Sequence, residues 1–312
     1  MTSPTIQIQG LGKRYPRKWA LYQLNMEVHE GDLFGFIGPN GAGKSTTIKI
    51  LATLEFPTEG QVFINGINVL EDPFKIRASI GYMPELFGLY DELLVQDYLD
   101  FFARVYKIPP QKRESLIADL MELTDLHRIA TEEIKSLSKG MRQRLYLAKT
   151  LIPDPKVLLL DEPASGLDPR ARVEFREILF ELQKAGKTVL ISSHILSELQ
   201  DICNRVAILE NGQLLGSGTV QEMIQRCTPY LLVKIRTLHQ RSEELVPMLS
   251  QFPFQNFKAE GDRLSAEFHG KSEEIPVIHR FLVEQGVALF SFYVSEGFLE
   301  DVFMKITTGA IS

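Results

Sequence analysis

Residues 38–45 read Gly38-Pro39-Asn40-Gly41-Ala42-Gly43-Lys44-Ser45, between an apolar run, Leu33 to Ile37, and a segment of helical pattern, Thr46 to Leu54. A strand that ends in a glycine-rich turn and passes straight into a helix leaves the chain few options. The glycines let successive backbone N–H groups turn inward, the helix start adds partial positive charge, and Lys44 adds a full one. Such a turn cradles phosphate oxygens, and its spacing is G-x-x-x-x-G-K-[ST]. Ser45 then stands where its hydroxyl can meet Mg²⁺, with Thr46 next on the helix. The pattern predicts a nucleoside triphosphate as ligand and leaves open what is done with it.

Composition narrows the partners. The 312 residues carry 40 acidic and 34 basic side chains, a net charge of −6, so there is no global positive field to hold nucleic acid. With 44% hydrophobic residues the chain can bury one large core and a smaller one. The two cysteines, Cys203 and Cys227, have no C-x-x-C spacing, which fits a reducing, cytosolic address rather than a disulfide framework. Met1 to Gly10 lacks the apolar core of a signal peptide, and no uncharged apolar run approaches the length of a spanning helix.

Periodicity divides the chain. Ile6 to Gln9 and Leu24 to Val28 alternate apolar with polar and read as an edge hairpin; Gln61 to Ile64 reads as a further strand, followed by an Asn65-Gly66 turn. From about Pro84 to Leu151 the pattern is helical: Tyr98, Phe101, Phe102 and Val105 share one face, and Leu116, Ile117, Leu120, Leu123 and Leu126 another. Val157 to Leu160 and Thr188 to Ile191 are continuous apolar runs flanking a helix, Ala171 to Lys184, which marks a parallel sheet buried on both faces. The expected first domain is therefore α/β, residues 1–225, with a helical insert at about 84–151. Beyond Gln225 the order β-α-β-β-α-β plus a helix predicts a small α+β, ferredoxin-like domain over 226–312, joined near Cys227-Thr228-Pro229.

Two carboxylates, Asp161 and Glu162, end the apolar strand Val157 to Leu160. Beside a phosphate loop, Asp161 can hold the Mg²⁺ shell and Glu162 can orient and deprotonate an attacking water. Leu137-Ser138-Lys139-Gly140-Met141 precedes a helix that Ser138 can cap; a serine cap by itself is usually structural.

The phosphate loop, Leu137-Ser138-Lys139-Gly140-Met141, Asp161-Glu162-Pro163, Ser165-Gly166-Leu167-Asp168 and Ser192-Ser193-His194, in that order, resemble the ATP-binding subunits of ABC transporters over about residues 4–225. The resemblance implies a P-loop NTPase fold with an antiparallel β subdomain and a helical insert. It also implies a head-to-tail dimer, with a second copy or a homologous ATPase subunit, that sandwiches two ATP molecules. Each ATP would lie between one subunit's Gly38–Ser45 loop and the other's Ser138–Gly140 segment. Tyr15, in Lys13-Arg14-Tyr15-Pro16, matches the family's adenine-stacking aromatic, Asp168 the loop that communicates across the dimer, and His194 the histidine that contacts the γ-phosphate.

Two motifs depart from the family pattern. Glu85, in Gly81-Tyr82-Met83-Pro84-Glu85, stands where a Mg²⁺-sensing glutamine is usual, and Lys139 and Met141 replace Gly and Gln in the signature. A carboxylate at 85 can still reach Mg²⁺ or its water but cannot donate as an amide does. These substitutions are similar to those in the branch that powers ABC-2-type exporters. The resemblance thus implies an ATPase that drives a separate polytopic membrane permease from the inner face of the cell membrane. Phe87, Leu89 and Tyr90 are candidates both for permease contact and for packing within the insert. A soluble ABC ATPase of translation or DNA repair is the alternative, although neither a second nucleotide domain nor a long coiled-coil insert is apparent.

Overall fold

The structure is a computed structural model that describes residues 4–227, 230–239, 241–295 and 297–307. The chain divides into two compact units, Met1–Thr219 and Val220–Ser312.

In the first unit, β1 (Ile6–Tyr15) and β2 (Lys18–Val28) form the N-terminal hairpin. It runs well beyond the expected Ile6–Gln9 and Leu24–Val28, because register shifts between Ile8 and Arg14 interrupt the two-residue alternation by which a strand is recognised. β3 (Leu33–Ile37) feeds the phosphate loop and α1 (Lys44–Leu51). β4 (Glu59–Ile64) and β5 (Ile67–Asn68) are joined by Asn65-Gly66, at φ 50° and 75°, the backbone that a two-residue hairpin turn requires. These strands make an antiparallel sheet in the order β2-β1-β4-β5.

α2 (Pro73–Ser79), capped by the Asp72 side chain, leads to β6 (Ile80–Met83). The helical insert follows as α3 (Val95–Val105), α4 (Pro110–Leu123) and α5 (Lys139–Leu151). Its buried side includes Tyr98, Leu99, Ile117, Leu120 and Leu145, whereas Phe101 and Val105, placed on the same face as Tyr98 by spacing, lie at its exposed rim. β7 (Val157–Asp161), α6 (Pro169–Lys184), β8 (Thr188–Ser193), α7 (Leu196–Gln200), β9 (Arg205–Glu210) and β10 (Gln213–Thr219) complete the unit. The main sheet runs β10-β9-β3-β8-β7-β6, parallel from β9 to β6, with β10 antiparallel at the edge. Every residue of β3, β7 and β8 is buried, as an interior parallel sheet covered on both faces demands.

In the second unit, α8 (Val220–Cys227) is followed by β11 (Leu231–Thr237), α9 (Leu245–Leu249), β12 (Phe254–Glu260), β13 (Arg263–Phe268), α10 (Ile275–Glu284), β14 (Leu289–Ser295) and α11 (Leu299–Thr307). The strands pair antiparallel in the order β12-β13-β11-β14, the βαββαβ arrangement of a ferredoxin-like fold. Val233, Ile235, Leu249, Leu264, Phe268, Ile278 and Leu282 form its core. The unit starts at Val220 rather than after Gln225, because α8 packs on α11. Thr228 and Pro229 of the expected linker lie outside the described residues, and no helix among those described is long and apolar enough to cross a membrane.

Candidate functional site

Strand register assembles the site. Ile37 pairs with Ser193, Asp161 with Ser192 and Met83 with Leu160, so the carboxyl ends of β3, β8, β7 and β6 open at one mouth of the sheet. The residues that follow are Gly38, His194, Glu162 and the Pro84-Glu85 segment. Open α/β sheets take their ligands at such a mouth.

The loop after β3 has a shape that only its glycines allow. Gly43 sits at φ 110°, and a Cβ there would lie 2.5 Å from Leu21 Cδ2 and 2.8 Å from the Ala20 carbonyl oxygen; a Cβ on Gly38 would run into the Leu209 carbonyl. Lys44 folds back under the loop. Its Nζ donates to the carbonyls of Gly38 at 2.6 Å and Pro39 at 3.3 Å, so a buried ammonium stands beneath the turn.

The acidic side is held by serines from two elements. Ser45 Oγ donates to Asp161 Oδ1 at 3.0 Å, and Ser192 Oγ donates to the same oxygen at 2.7 Å. Ser192 Oγ also accepts the Glu162 N–H at 2.9 Å, which fixes Glu162 at φ 49°, a left-handed backbone uncommon for a non-glycine residue. The buried Glu162 carboxylate is thereby aimed two ways: Oε2 is 2.8 Å from His194 Nδ1, and Oε1 is 3.3 Å from Lys44 Nζ. No group among the described residues makes a hydrogen bond to that Oε1. A carboxylate only accepts, so the imidazole proton belongs on Nδ1. On β6 beside Asp161, burial and then the Asp161 charge push the Tyr82 hydroxyl up to about 12, so it stays neutral.

One cleft is lined by Tyr15, Pro39, Asn40, Gly41, Gly43, Lys44, Ser45, Thr46, Glu85 and Glu162. Gly38 and Ala42 support the loop from behind, Ala42 through its carbonyl to the Gly212 N–H at 2.9 Å. Asp161 and His194 do not line this cleft themselves but touch Ser45 and Glu162, which do, whereas Ser138, Gly140 and Asp168 are not part of it. Ser138 caps α5 by accepting the Met141 N–H at 3.3 Å, Asp168 caps α6 by accepting that of Ala171 at 3.0 Å, and Gly140 packs where a Cβ would meet Ala171. Lys18 and Ala20 also line the cleft and were not singled out from sequence, since nothing in strand alternation marks which side of β2 will face a ligand. In sequence Ser192 is only part of the Ser192-Ser193-His194 motif, which carries no sign of its double hydrogen bond to Asp161 and Glu162. Phe87 stacks on Tyr146 with ring centroids 4.3 Å apart and so packs within the insert, while Tyr90 is largely exposed.

The residues present fit a magnesium nucleotide: a glycine cradle, a buried ammonium under it, a hydroxyl and carboxylate in contact, and a buried carboxylate oxygen without a hydrogen-bond donor. A parallel sheet with this loop and these acids defines a P-loop nucleoside triphosphatase. Residues 21–165 match the ABC transporter family. Over 309 residues the chain is 30% identical to the daunorubicin resistance ATP-binding protein DrrA3 of Streptomyces coeruleorubidus, covering 98% of this chain and 97% of that protein. It is 32% identical over 308 residues to the bacitracin transport ATP-binding protein BcrA of Bacillus licheniformis, covering 98% of each. Among solved structures, the ATP-binding subunit of an ABC transporter matches with TM-score 0.64 and 32% identity over 71% of this chain and 92% of that one. A dimeric ATP-binding cassette in a post-hydrolysis state bound to ADP and Pi matches with TM-score 0.63 and 26% identity, over 69% and 98%. The chain belongs to the family of ABC transporter ATP-binding subunits, and it is an ATPase that drives a transporter.

Proposed function

We propose that the chain binds MgATP in the cleft between Tyr15 and Glu162, closes head to tail on a second ATPase subunit, and hydrolyses the nucleotide to power a separate polytopic permease. The observation that carries this reading is the convergence of Lys44, Ser45, Asp161, Glu162 and His194 at the ends of adjacent strands. Tyr15 would stack the adenine, the loop N–H groups and Lys44 would take the β- and γ-phosphates, and Ser45 and Asp161 would hold Mg²⁺, with Glu85 as a further carboxylate lining the same cleft. When bound, Mg²⁺ neutralises phosphate charge.

Glu162 accepts the proton of the attacking water, and His194, oriented by Glu162 through Nδ1, faces the γ-phosphate with Nε2, which donates there only when both ring nitrogens carry protons. Ser138 and Gly140, at the amino end of α5 and away from their own cleft, serve the partner's ATP, and Asp168 lies at the dimer seam. The exposed Leu86 and Tyr90 beside Glu85 receive the permease, which keeps the subunit on the inner face of the membrane. The relatives named for daunorubicin resistance and bacitracin transport support export as the direction. Disulfide trapping tests the dimer: in a Glu162→Gln background, Asn40→Cys and Ser138→Cys should cross-link between subunits when MgATP is added. Cross-linking at the same rate without nucleotide counts against the ATP sandwich.

A further inference from the structure

α6 and α7 face each other across a cavity of about 250 Å³ whose walls include Phe175, Leu179 and Leu199. Phe175, Leu179 and Leu199 are themselves buried, and polar bridges cross between the two helices beside them. α7 has only five residues, too few to hold its place by helix formation alone. The nearer bridge is Arg172. Its Nη1 forms an ion pair with Glu198 Oε1 at 2.9 Å, although that oxygen accepts no hydrogen bond among the described residues, and its Nε donates to the Leu167 carbonyl at 3.0 Å. A second pair, Arg176 Nη1 to Asp201 Oδ2 at 3.5 Å, lies farther along.

Leu167 immediately precedes Asp168, and Glu198 lies on α7, which begins two residues after His194. One guanidinium therefore ties the loop before α6 to the segment that carries His194. The charges share a neighbourhood: burial raises the Glu198 carboxyl above its ordinary range, Arg172 and His194 oppose that rise, and Glu162 adds to it. Without Arg172, Glu198 would be an acid without its cationic partner in the neighbourhood of His194 and Glu162.

We propose that Arg172 is a positioning residue for hydrolysis: by clamping Glu198 and the Leu167 carbonyl, it sets where His194 stands against Glu162 and links that placement to the Asp168 loop. This rests on the roles given to Glu162 and His194 above. The test uses the full chain with Arg172→Met, which keeps the aliphatic stem, Glu198→Gln, which keeps the shape, His194→Ala, and the Arg172→Met/His194→Ala double variant. Turnover, MgATP affinity and thermal unfolding are measured for each. Arg172→Met and Glu198→Gln should each lower kcat about tenfold or more, with MgATP affinity within about twofold of the parent, and the double variant should be no slower than His194→Ala alone.

Multiplying losses in the double variant, or normal turnover in Arg172→Met and Glu198→Gln when His194→Ala is slow, overturn this proposal and leave the site reading intact. Parent-like turnover in His194→Ala overturns the role given to His194 and this proposal with it. If Arg172→Met unfolds early, Glu198→Gln and its combination with His194→Ala carry the same comparison.

Discussion

His194 Nδ1 and Glu162 Oε2 are 2.8 Å apart, although the two residues end different strands and are separated by α6 in sequence. The contact joins a buried carboxylate to a ring that is 42% exposed on its side chain, so one partner is held in the interior and the other meets solvent. Ser192 makes this possible: by holding the Glu162 N–H and Asp161 Oδ1 at once, it turns Asp161 toward Ser45 and Glu162 toward His194 and Lys44. Two adjacent acids thus face different partners.

Glu162→Gln should keep MgATP binding and lower steady turnover by about two orders of magnitude or more, since an amide cannot take the water's proton. ATP-dependent dimers should accumulate, visible by size-exclusion chromatography. A variant that hydrolyses ATP near the parent rate would remove Glu162 from the role of base.

Lys44→Ala should weaken MgATP binding by roughly 2–3 kcal/mol, the worth of a charge-assisted hydrogen bond lost at the phosphates. The Gly38 and Pro39 carbonyls lose their donor as well, so the loop itself should loosen. Calorimetry decides the matter; unchanged affinity would mean that the loop does not hold phosphate through Lys44.

Ser192→Ala removes a fully buried hydroxyl that donates to Asp161 and accepts from Glu162. Leaving a buried N–H and a carboxylate oxygen short of partners should cost about 1–3 kcal/mol of stability, read from urea unfolding. Turnover should fall further than this implies, because the φ 49° backbone at Glu162 loses its anchor. Parent-like stability together with parent-like turnover would show that the geometry survives without the serine.

The legible and illegible parts of this site separate on physical grounds. The phosphate loop could be read because its demands are local: Gly43 at φ 110° and Lys44 beside it are consecutive residues, and the apolar runs before and after announce a strand and a helix. The Asn65-Gly66 turn was legible for the same reason. Arg172 with Glu198, and Ser192 with Glu162, are pairings between elements, and their residue types alone show no preference for one another. The N-terminal hairpin extends past its alternating stretches because bulges break the alternation there, and the helical pattern of α8 belongs equally to either side until α11 is seen against it.

Glu85 lines the cleft from the β6 side, where Mg²⁺ and a signal from the permease would meet. Glu85→Gln should be tolerated, since the amide still offers an oxygen, whereas Glu85→Ala should lose about tenfold of permease-stimulated turnover while retaining ATP binding. Full stimulation of the alanine variant in reconstituted vesicles would exclude a sensing role.

Cutting the chain between Thr219 and Val220 should yield two folded pieces, because each unit has its own core. The position of the cut matters. A chain ending at Gln225 carries most of α8 without α11, the helix it packs on, and would expose the buried Met223; a chain ending at Thr219 does not. Residues 1–219 should therefore remain soluble and bind MgATP, since all the cleft residues lie within them, while 1–225 aggregates more readily. Residues 220–312 should unfold cooperatively by circular dichroism and bind no nucleotide. A 1–219 chain that aggregates, paired with a 220–312 chain that shows no cooperative transition, would mean that the two units depend on each other to fold.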